Sequence, residues 1–318
     1  MNKDSILFSV VIPTFNHAQY LSRALKSVVN QSYPNWEIIV IDNNSTDNTL
    51  EIIKEFDNKN IKYMSINNKG IIAKSRNAGI KIARGDWIAF LDSDDYWFLK
   101  KLEICINSIR QNPSADIFIT NELQIDEGSG ARKSLIYGPP SSNFYKKLLA
   151  HGNCLSPSAV VVKKDFLFKS NILFRESRRF ISAEDYDFWM YLARAGAKFE
   201  FINSIQGVYT IHHKNISKRI EFHNASISRV IEDHVFNLQN FEQDKNNLFA
   251  QIKLRLFIEE FIKALCIGNF SKCFKMVEKK TRPFAIFRLN FFLSIFIFKL
   301  KSYMFKSYNR IFNCLYPR

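Results

Sequence analysis

The chain has 318 residues, 47% hydrophobic and 24% charged, a globular balance with room for one large domain or two smaller ones. Its five cysteines (Cys105, Cys154, Cys266, Cys273, Cys314) are scattered without a Cys-X-X-Cys pair, so free thiols in a reducing compartment and no zinc site are expected. The formal net charge is +15, and from 251 onward 14 Lys and Arg stand against 3 Asp and Glu, so the tail asks for an anionic partner.

Met1 to Asp4 is polar and carries no apolar signal segment, so a cytoplasmic protein is expected. Ile6 to Ile12 reads as a first buried strand, broken by Pro13-Thr14-Phe15-Asn16. His17 to Asn30 has helical spacing, with Leu21, Ala24, Leu25, Val28 and Val29 on one stripe and Asn16 as the expected N-cap. Glu37 to Ile41 is a second strand, followed by the polar run Asp42 to Asp47. Thr46 or Asp47 is placed to cap a helix reaching about Phe56. Ile61 to Ile66 reads as a third strand, and a helix with Ala73, Asn77, Ile80 and Ala83 on one side follows it, Arg76 lying near its start. Strand, polar loop, helix and strand make the βαβ unit of a parallel sheet, whose ligands bind beyond the carboxyl ends of the strands. Thr14, Asp42, Asn43 and Asp94 therefore fall on one rim.

Trp87-Ile88-Ala89-Phe90-Leu91 reads as a strand buried on both faces, and Asp92-Ser93-Asp94-Asp95 follows where it leaves the core. Crowded carboxylates repel, and burying them unpaired is costly. Asp-X-Asp at a strand end suits a hard cation such as Mg²⁺ or Mn²⁺; a solvated acidic turn is the plainer alternative. Leu99, Leu102, Ile106 and Ile109 mark a helix ended by Asn112-Pro113, and Ile117 to Thr120 a strand. Glu122 to Ser142, with three glycines and two prolines, reads as a long flexible loop. Ala159 to Val162 is a strand. Ser182-Ala183-Glu184-Asp185-Tyr186-Asp187 opens a helix with three acids in four positions, which ordinary capping would also explain. Phe199 to Ile202 and Val208 to Ile211 read as two further short strands, followed by His212-His213. From about Glu221 the pattern is helical.

Five of these segments carry a resemblance. Ser9 to Asn16, Ile41 to Asp47, Ala73 to Gly79, Asp92 to Asp95 and Glu184 to Asp187 resemble, in order and spacing, the motifs of family-2 glycosyltransferases over roughly residues 6 to 217. The chain is most similar to the small bacterial members that build capsule, exopolysaccharide or O-antigen. The resemblance implies an α/β GT-A fold, a Rossmann-like, mostly parallel sheet flanked by helices. Residues 1–217 would form the catalytic domain, with nucleotide-sugar binding in about 1–121 and the acceptor side in about 122–217. Residues 218–318 would be a basic, Phe-rich helical extension.

The same resemblance implies roles. Pro13 and Thr14 would lie against the nucleoside. Asp42 and Asn43 occupy an Asp-Asp pair whose second acid commonly reads a pyrimidine; the amide of Asn43 can both accept and donate. Arg76 would meet the diphosphate. Asp92 and Asp94 would be the Asp-X-Asp pair, Asp94 the direct ligand of Mn²⁺ or Mg²⁺. Tyr209, His212, Asn215 and Ser217 resemble a signature whose histidine joins the metal or diphosphate, with Thr210 standing where the family usually carries Arg. Asp185 is the candidate base for the acceptor hydroxyl, and Glu184 or Asp187 would orient the acceptor. One displacement would invert the anomeric carbon of a UDP- or dTDP-linked donor, with a glycan or lipid-linked sugar as acceptor. A homo-oligomer is compatible with all of this.

Rival classes fit less well. A nucleotidyltransferase would carry a glycine-rich basic loop after the first strand, but Pro13 to Tyr20 has no Gly, Lys or Arg. A processive synthase would carry Gln-X-X-Arg-Trp, and no tryptophan here follows an arginine. A sugar- or nucleic-acid-binding protein leaves Asp92, Asp94 and Asp185 unexplained. In the tail, Leu289 to Phe298 is about ten apolar residues bracketed by Arg288 and Lys299, half of the about 20 that a spanning helix needs. Phenylalanines interleaved with lysines suit docking on the anionic inner face of the cytoplasmic membrane rather than binding nucleic acid; internal packing is the alternative.

Overall fold

The computed structural model describes residues 6–138, 143–213, 215, 220–266, 268, 269, 271, 273 and 276. The chain divides into two compact units, Met1–Ile252 and Lys253–Arg318. The first holds β1 (Phe8–Thr14), α1 (Ala18–Val29), β2 (Trp36–Asp42), α2 (Thr49–Lys54), β3 (Ile61–Ser65), α3 (Ile72–Ile82), β4 (Trp87–Phe90), β5 (Tyr96–Trp97), α4 (Lys101–Gln111), β6 (Ile117–Asp126), β7 (Arg132–Leu135), α5 (Phe144–His151), β8 (Val160–Lys163), α6 (Lys164–Lys169), α7 (Glu184–Arg194), β9 (Phe199–Ile211) and α8 (Ile220–Asp233). A π-helical turn, His234–Leu238, leads on to α9 (Lys245–Cys266).

The strands form one nine-stranded sheet in the order β3-β2-β1-β4-β8-β6-β9-β5, with β7 on β6. β3, β2, β1 and β4 are parallel, β8 runs against β4 and β6, and β9 is parallel to β6. The Val and Ile runs of β1 and β2 are buried throughout because helices cover both faces. This is the α/β sheet expected. Gly79 sets how closely α3 approaches: a Cβ there would sit 2.4 Å from Val11 Cγ1. One turn earlier on the same helix, Arg76 is thereby brought to the strand ends.

Several local expectations change. β1 runs through Pro13 to Thr14 instead of stopping at Ile12. Pro13 lies beyond the last β1–β4 pair, Val11↔Phe90, where no ladder bond needs its N–H. Asn16 does not cap α1; it has φ 51, and its Oδ1 accepts the Thr46 N–H. Asp47 takes that work: Oδ2 accepts from Ala18 N and Oδ1 from Thr49 N, so one carboxylate serves the start of two helices.

The stretch expected as a flexible loop from Glu122 is largely a β-hairpin. β6 continues to Asp126 and turns at Gly130 (φ 71), and β7 pairs back on it. Glu122 is buried inside this layer, where Tyr137 donates to its Oε2 at 2.8 Å. Residues 139–142 of the stretch lie outside the described residues. The two short strands expected after α7 are one, β9, which follows β6 with register shifts between Thr120 and Glu122.

The first unit also extends past 217. Asp233 and His234 both reach the acid-opened helix: Arg175 bridges Asp233 to Asp187, and His234 Nε2 lies 3.1 Å from Asp187 Oδ1. Buried polar groups that satisfy one another hold α8 and the π turn to α7. The apolar, basic run from Leu289 lies outside the described residues. Among the described residues no helix is long and apolar enough to cross a membrane.

Candidate active site

The carboxyl ends of β1, β2 and β4 meet as the sequence pattern requires. Thr14 and Asp42 are register partners, and Asn43 N donates to Thr14 O at 3.0 Å. Pro13 is buried, and the buried Thr14 hydroxyl has no partner among the described residues. Asp42 is committed locally: it accepts from Ser45 Oγ, Ser45 N and Tyr63 OH. Asn43 Oδ1 accepts from Asn68 N at 2.8 Å; a backbone N–H can only donate, so this fixes which way the amide faces.

Arg76 is the hub. Its side chain is 3% exposed and bonds Asp92 Oδ1 and Glu184 Oε1, each at 2.8 Å, with the guanidinium over the Phe174 ring. Burial alone would lower its pKa, but Asp92 and then Glu184 raise it above the usual arginine range. Arg76 thus joins the β4 acids to the first turn of α7. Glu184 Oε1 is taken by this pair, while its buried Oε2 has no hydrogen-bond partner among the described residues. Asp187, the other residue expected to orient the acceptor, pairs with Arg175 and His234.

Asp185 differs. It is partly buried, takes Asn153 Nδ2 on Oδ2 at 2.9 Å and its neighbour Tyr186 N on Oδ1. Burial first, then the charge of Glu184, push its carboxyl up to about 7 against the pull of Arg76. A carboxylate near 7 is matched to accepting a proton at neutral pH.

The three acids after β4 separate by function. Asp94 Oδ2 meets His212 Nε2 at 2.9 Å and Asn215 Nδ2 at 3.2 Å. Asp95 is wholly buried, accepting from Ser158 Oγ and Thr210 N; burial and then Asp94 push its carboxyl well above the ordinary range. Asp92 Oδ1 is held by Arg76 and Asp94 Oδ2 by His212, and among the described residues no three of His, Cys, Asp and Glu gather as a metal cluster. The Asp94–His212 pair is a donor set of one carboxylate and one imidazole. One carboxylate and one imidazole would fit a divalent cation. Ser217 lies outside the described residues, and His213 is exposed.

Residues 9–167 match the model of glycosyl transferase family 2. The chain is similar to two UDP-Glc:alpha-D-GlcNAc-diphosphoundecaprenol beta-1,3-glucosyltransferases of Escherichia coli. WfgD is 34% identical over 59% of this chain and 70% of its own length, and WfaP is 30% identical over 66% and 80%. Among solved structures, the TarS 1–349 complex of S. aureus with UDP-GlcNAc superposes with a TM-score of 0.61 at 26% identity, covering 79% of this chain and 73% of that one. The chain belongs to glycosyl transferase family 2. It is a glycosyltransferase acting on nucleotide-sugar donors.

Several residues around the site of this family-2 glycosyltransferase escape a reading of its sequence. Arg23 of α1 donates to the Asp94 carbonyl at 2.9 Å and to Thr210 Oγ1 at 3.1 Å. A guanidinium therefore reaches Thr210, where the family's usual Arg is missing from β9. Tyr20 stacks on His212, with centroids 4.6 Å apart. Asn153 on Asp185 and Ser158 on Asp95 come from the segment between α5 and β8 and carry no motif. Tyr20 and Arg23 had a signal: they stand three apart on α1, Tyr20 at the edge of the buried stripe and Arg23 on the side away from it.

Proposed function

We propose that this glycosyltransferase moves a hexosyl group from a UDP-sugar to a sugar carried on a lipid diphosphate, with inversion, in the assembly of a bacterial surface polysaccharide. The observation that carries the reading is the bridge Asp92–Arg76–Glu184, which sets the donor-side cluster beside Asp185 on a single rim. Both E. coli relatives named above use UDP-glucose and an undecaprenyl-diphosphate-linked acceptor, which supports this substrate class.

In this reading Pro13, Thr14, Asp42 and Asn43 line the nucleoside side, and the unpartnered Thr14 hydroxyl is left for the ligand. Arg76 and Asp92 stand at the diphosphate. Asp94 and His212 would hold a divalent cation, Mn²⁺ or Mg²⁺, which would supply positive charge at the leaving diphosphate. Asp185 accepts the proton of the acceptor hydroxyl as that oxygen attacks the anomeric carbon from the face opposite the leaving group. Glu184 acts through Arg76 and does not take the proton. One attacking oxygen and one leaving oxygen give a single displacement, hence inversion.

A lipid-borne acceptor also gives the basic, Phe-rich tail a partner in the anionic membrane surface, each cation contributing about 1 kcal/mol. Full-length protein should sediment with anionic liposomes and lose this in high salt or when truncated near Lys280; no sedimentation of the full chain contradicts the docking. The function itself is tested by a panel of nucleotide-sugars, UDP-glucose first, with NMR of the product. A β-linkage from an α-linked donor is expected. A retained configuration, or donors other than UDP-sugars alone supporting transfer, overturns the proposal.

A further inference from the structure

One face of α1 is turned wholly toward the strand-end loop. His17, just before the helix, places Nδ1 3.0 Å from Ser93 Oγ, the middle residue of Asp92-Ser93-Asp94. Tyr20, three residues on and buried, lies flat against the His212 ring at an interplanar angle of 19°. The His17 ring meets the same imidazole edge-on at 5.7 Å. Arg23, three further on, ties the Asp94 carbonyl to Thr210 of β9, and its guanidinium lies 4.6 Å from the centroid of the Tyr96 ring. Residues three apart on a helix share a face, so one rigid element touches Ser93, Asp94, Thr210 and His212 together.

We propose that this face of α1 is a positioning surface for the cation site, with Tyr20 fixing the rotation of the His212 ring and Arg23 fixing the Asp94 backbone. The inference rests on the reading that Asp94 and His212 hold the cation. A ligand imidazole needs its ring plane set before the ion arrives, and partners behind the ligands commonly contribute tenfold to a hundredfold in metal affinity. The Tyr20 stack restrains the ring without using a nitrogen. The Arg23 fork joins the Asp94 carbonyl to Thr210 of β9, partners 71 and 187 residues from Arg23 in the chain, so a cation finds carboxylate and imidazole already facing each other. None of the three side chains is needed to touch the sugar or the diphosphate.

The test is Mn²⁺ binding to the full chain with UDP present, read by the electron paramagnetic resonance of free Mn²⁺, alongside UDP affinity without metal. Tyr20→Leu and Arg23→Gln should each weaken Mn²⁺ about tenfold or more, leave metal-free UDP affinity unchanged, and keep a cooperative thermal transition. Tyr20→Phe, which keeps the stack, should bind Mn²⁺ as the wild type does. If Tyr20→Leu does not fold, Arg23→Gln carries the test. Wild-type Mn²⁺ affinity in the folded variants, while Asp94→Ala has lost it, overturns the positioning role alone. Wild-type affinity in Asp94→Ala removes the cation reading, and this inference with it.

Discussion

The two ends of the same parallel strands treat a buried carboxylate in opposite ways. At the starting edge, Glu37 of β2 accepts from Ser9 Oγ, Arg84 N, Arg84 Nε and Lys62 Nζ. Burial pushes its pKa up, but the Ser9 and Arg84 bonds, followed by Lys62, outweigh burial and hold it at about 2. At the finishing edge Asp92, Asp94, Asp95, Glu184 and Asp185 crowd together, and Arg76 is the cation shared between two of them. There burial and a neighbouring acid win, and Asp185 rises to about 7. A carboxylate that only ties the fold is surrounded by donors until its charge is secure. Asp185, by contrast, receives only Asn153 Nδ2 and Tyr186 N among the described residues.

Three changes sharpen that contrast. The largest effect is expected from Arg76→Met, which leaves Asp92 and Glu184 facing each other without a cation. Losing one partner of a buried ion pair costs about 3–5 kcal/mol, so denaturant unfolding should show a loss of that order together with loss of transfer. A loss below about 1 kcal/mol would mean that the finishing edge tolerates its acids without Arg76.

Glu37→Gln comes next. It should cost about 2 kcal/mol of stability, the scale of hydrogen bonds to a charged group, and leave turnover per folded molecule unchanged. The sign follows from the lowered pKa. The contribution of Glu37 is fully present above the unfolded carboxylate value of about 4.3 and is lost as pH falls toward about 2. Acid unfolding of the variant should therefore lack that part of the slope, and an unaltered acid limb would contradict it.

The smallest effect concerns Asn153. As the base, Asp185 must be ionised to accept a proton, so kcat/KM should be retained above pH 7 and fall as pH drops through about 7. Asn153 donates to Asp185 and favours its charged form. In Asn153→Ala the limb should move upward by up to about one pH unit. An unmoved limb would show that Asn153 does not act on this carboxylate, and a downward one would contradict the sign.

Much of this was legible in the sequence, unevenly so. The buried strands announced themselves as runs of Val and Ile, and the rim followed because parallel βαβ units put strand ends together. The motif acids were visible for the same reason. What stayed hidden was pairing. Nothing in the spacing of Asp92, Asp94 and Asp95 says that one is taken by Arg76, one meets His212 and one is buried on Ser158, because those partners lie 16, 118 and 63 residues away. The Glu122 to Ser142 stretch read as a loop because Gly128, Gly130 and Gly138 masked the alternation of Leu123 and Ile125 that builds the hairpin. Asn16 read as a cap from composition alone, whereas Asp47, on another loop, reached the helix start first.

The central claim is that Asp185 takes the acceptor's proton while Arg76, Asp92 and Glu184 serve the donor side. Asp185→Asn tests it directly, measured twice on one preparation: UDP-sugar affinity by calorimetry and transfer by initial rates. Donor affinity close to that of the wild type with turnover reduced about a hundredfold or more is the predicted result. Near-normal turnover in Asp185→Asn would contradict the account.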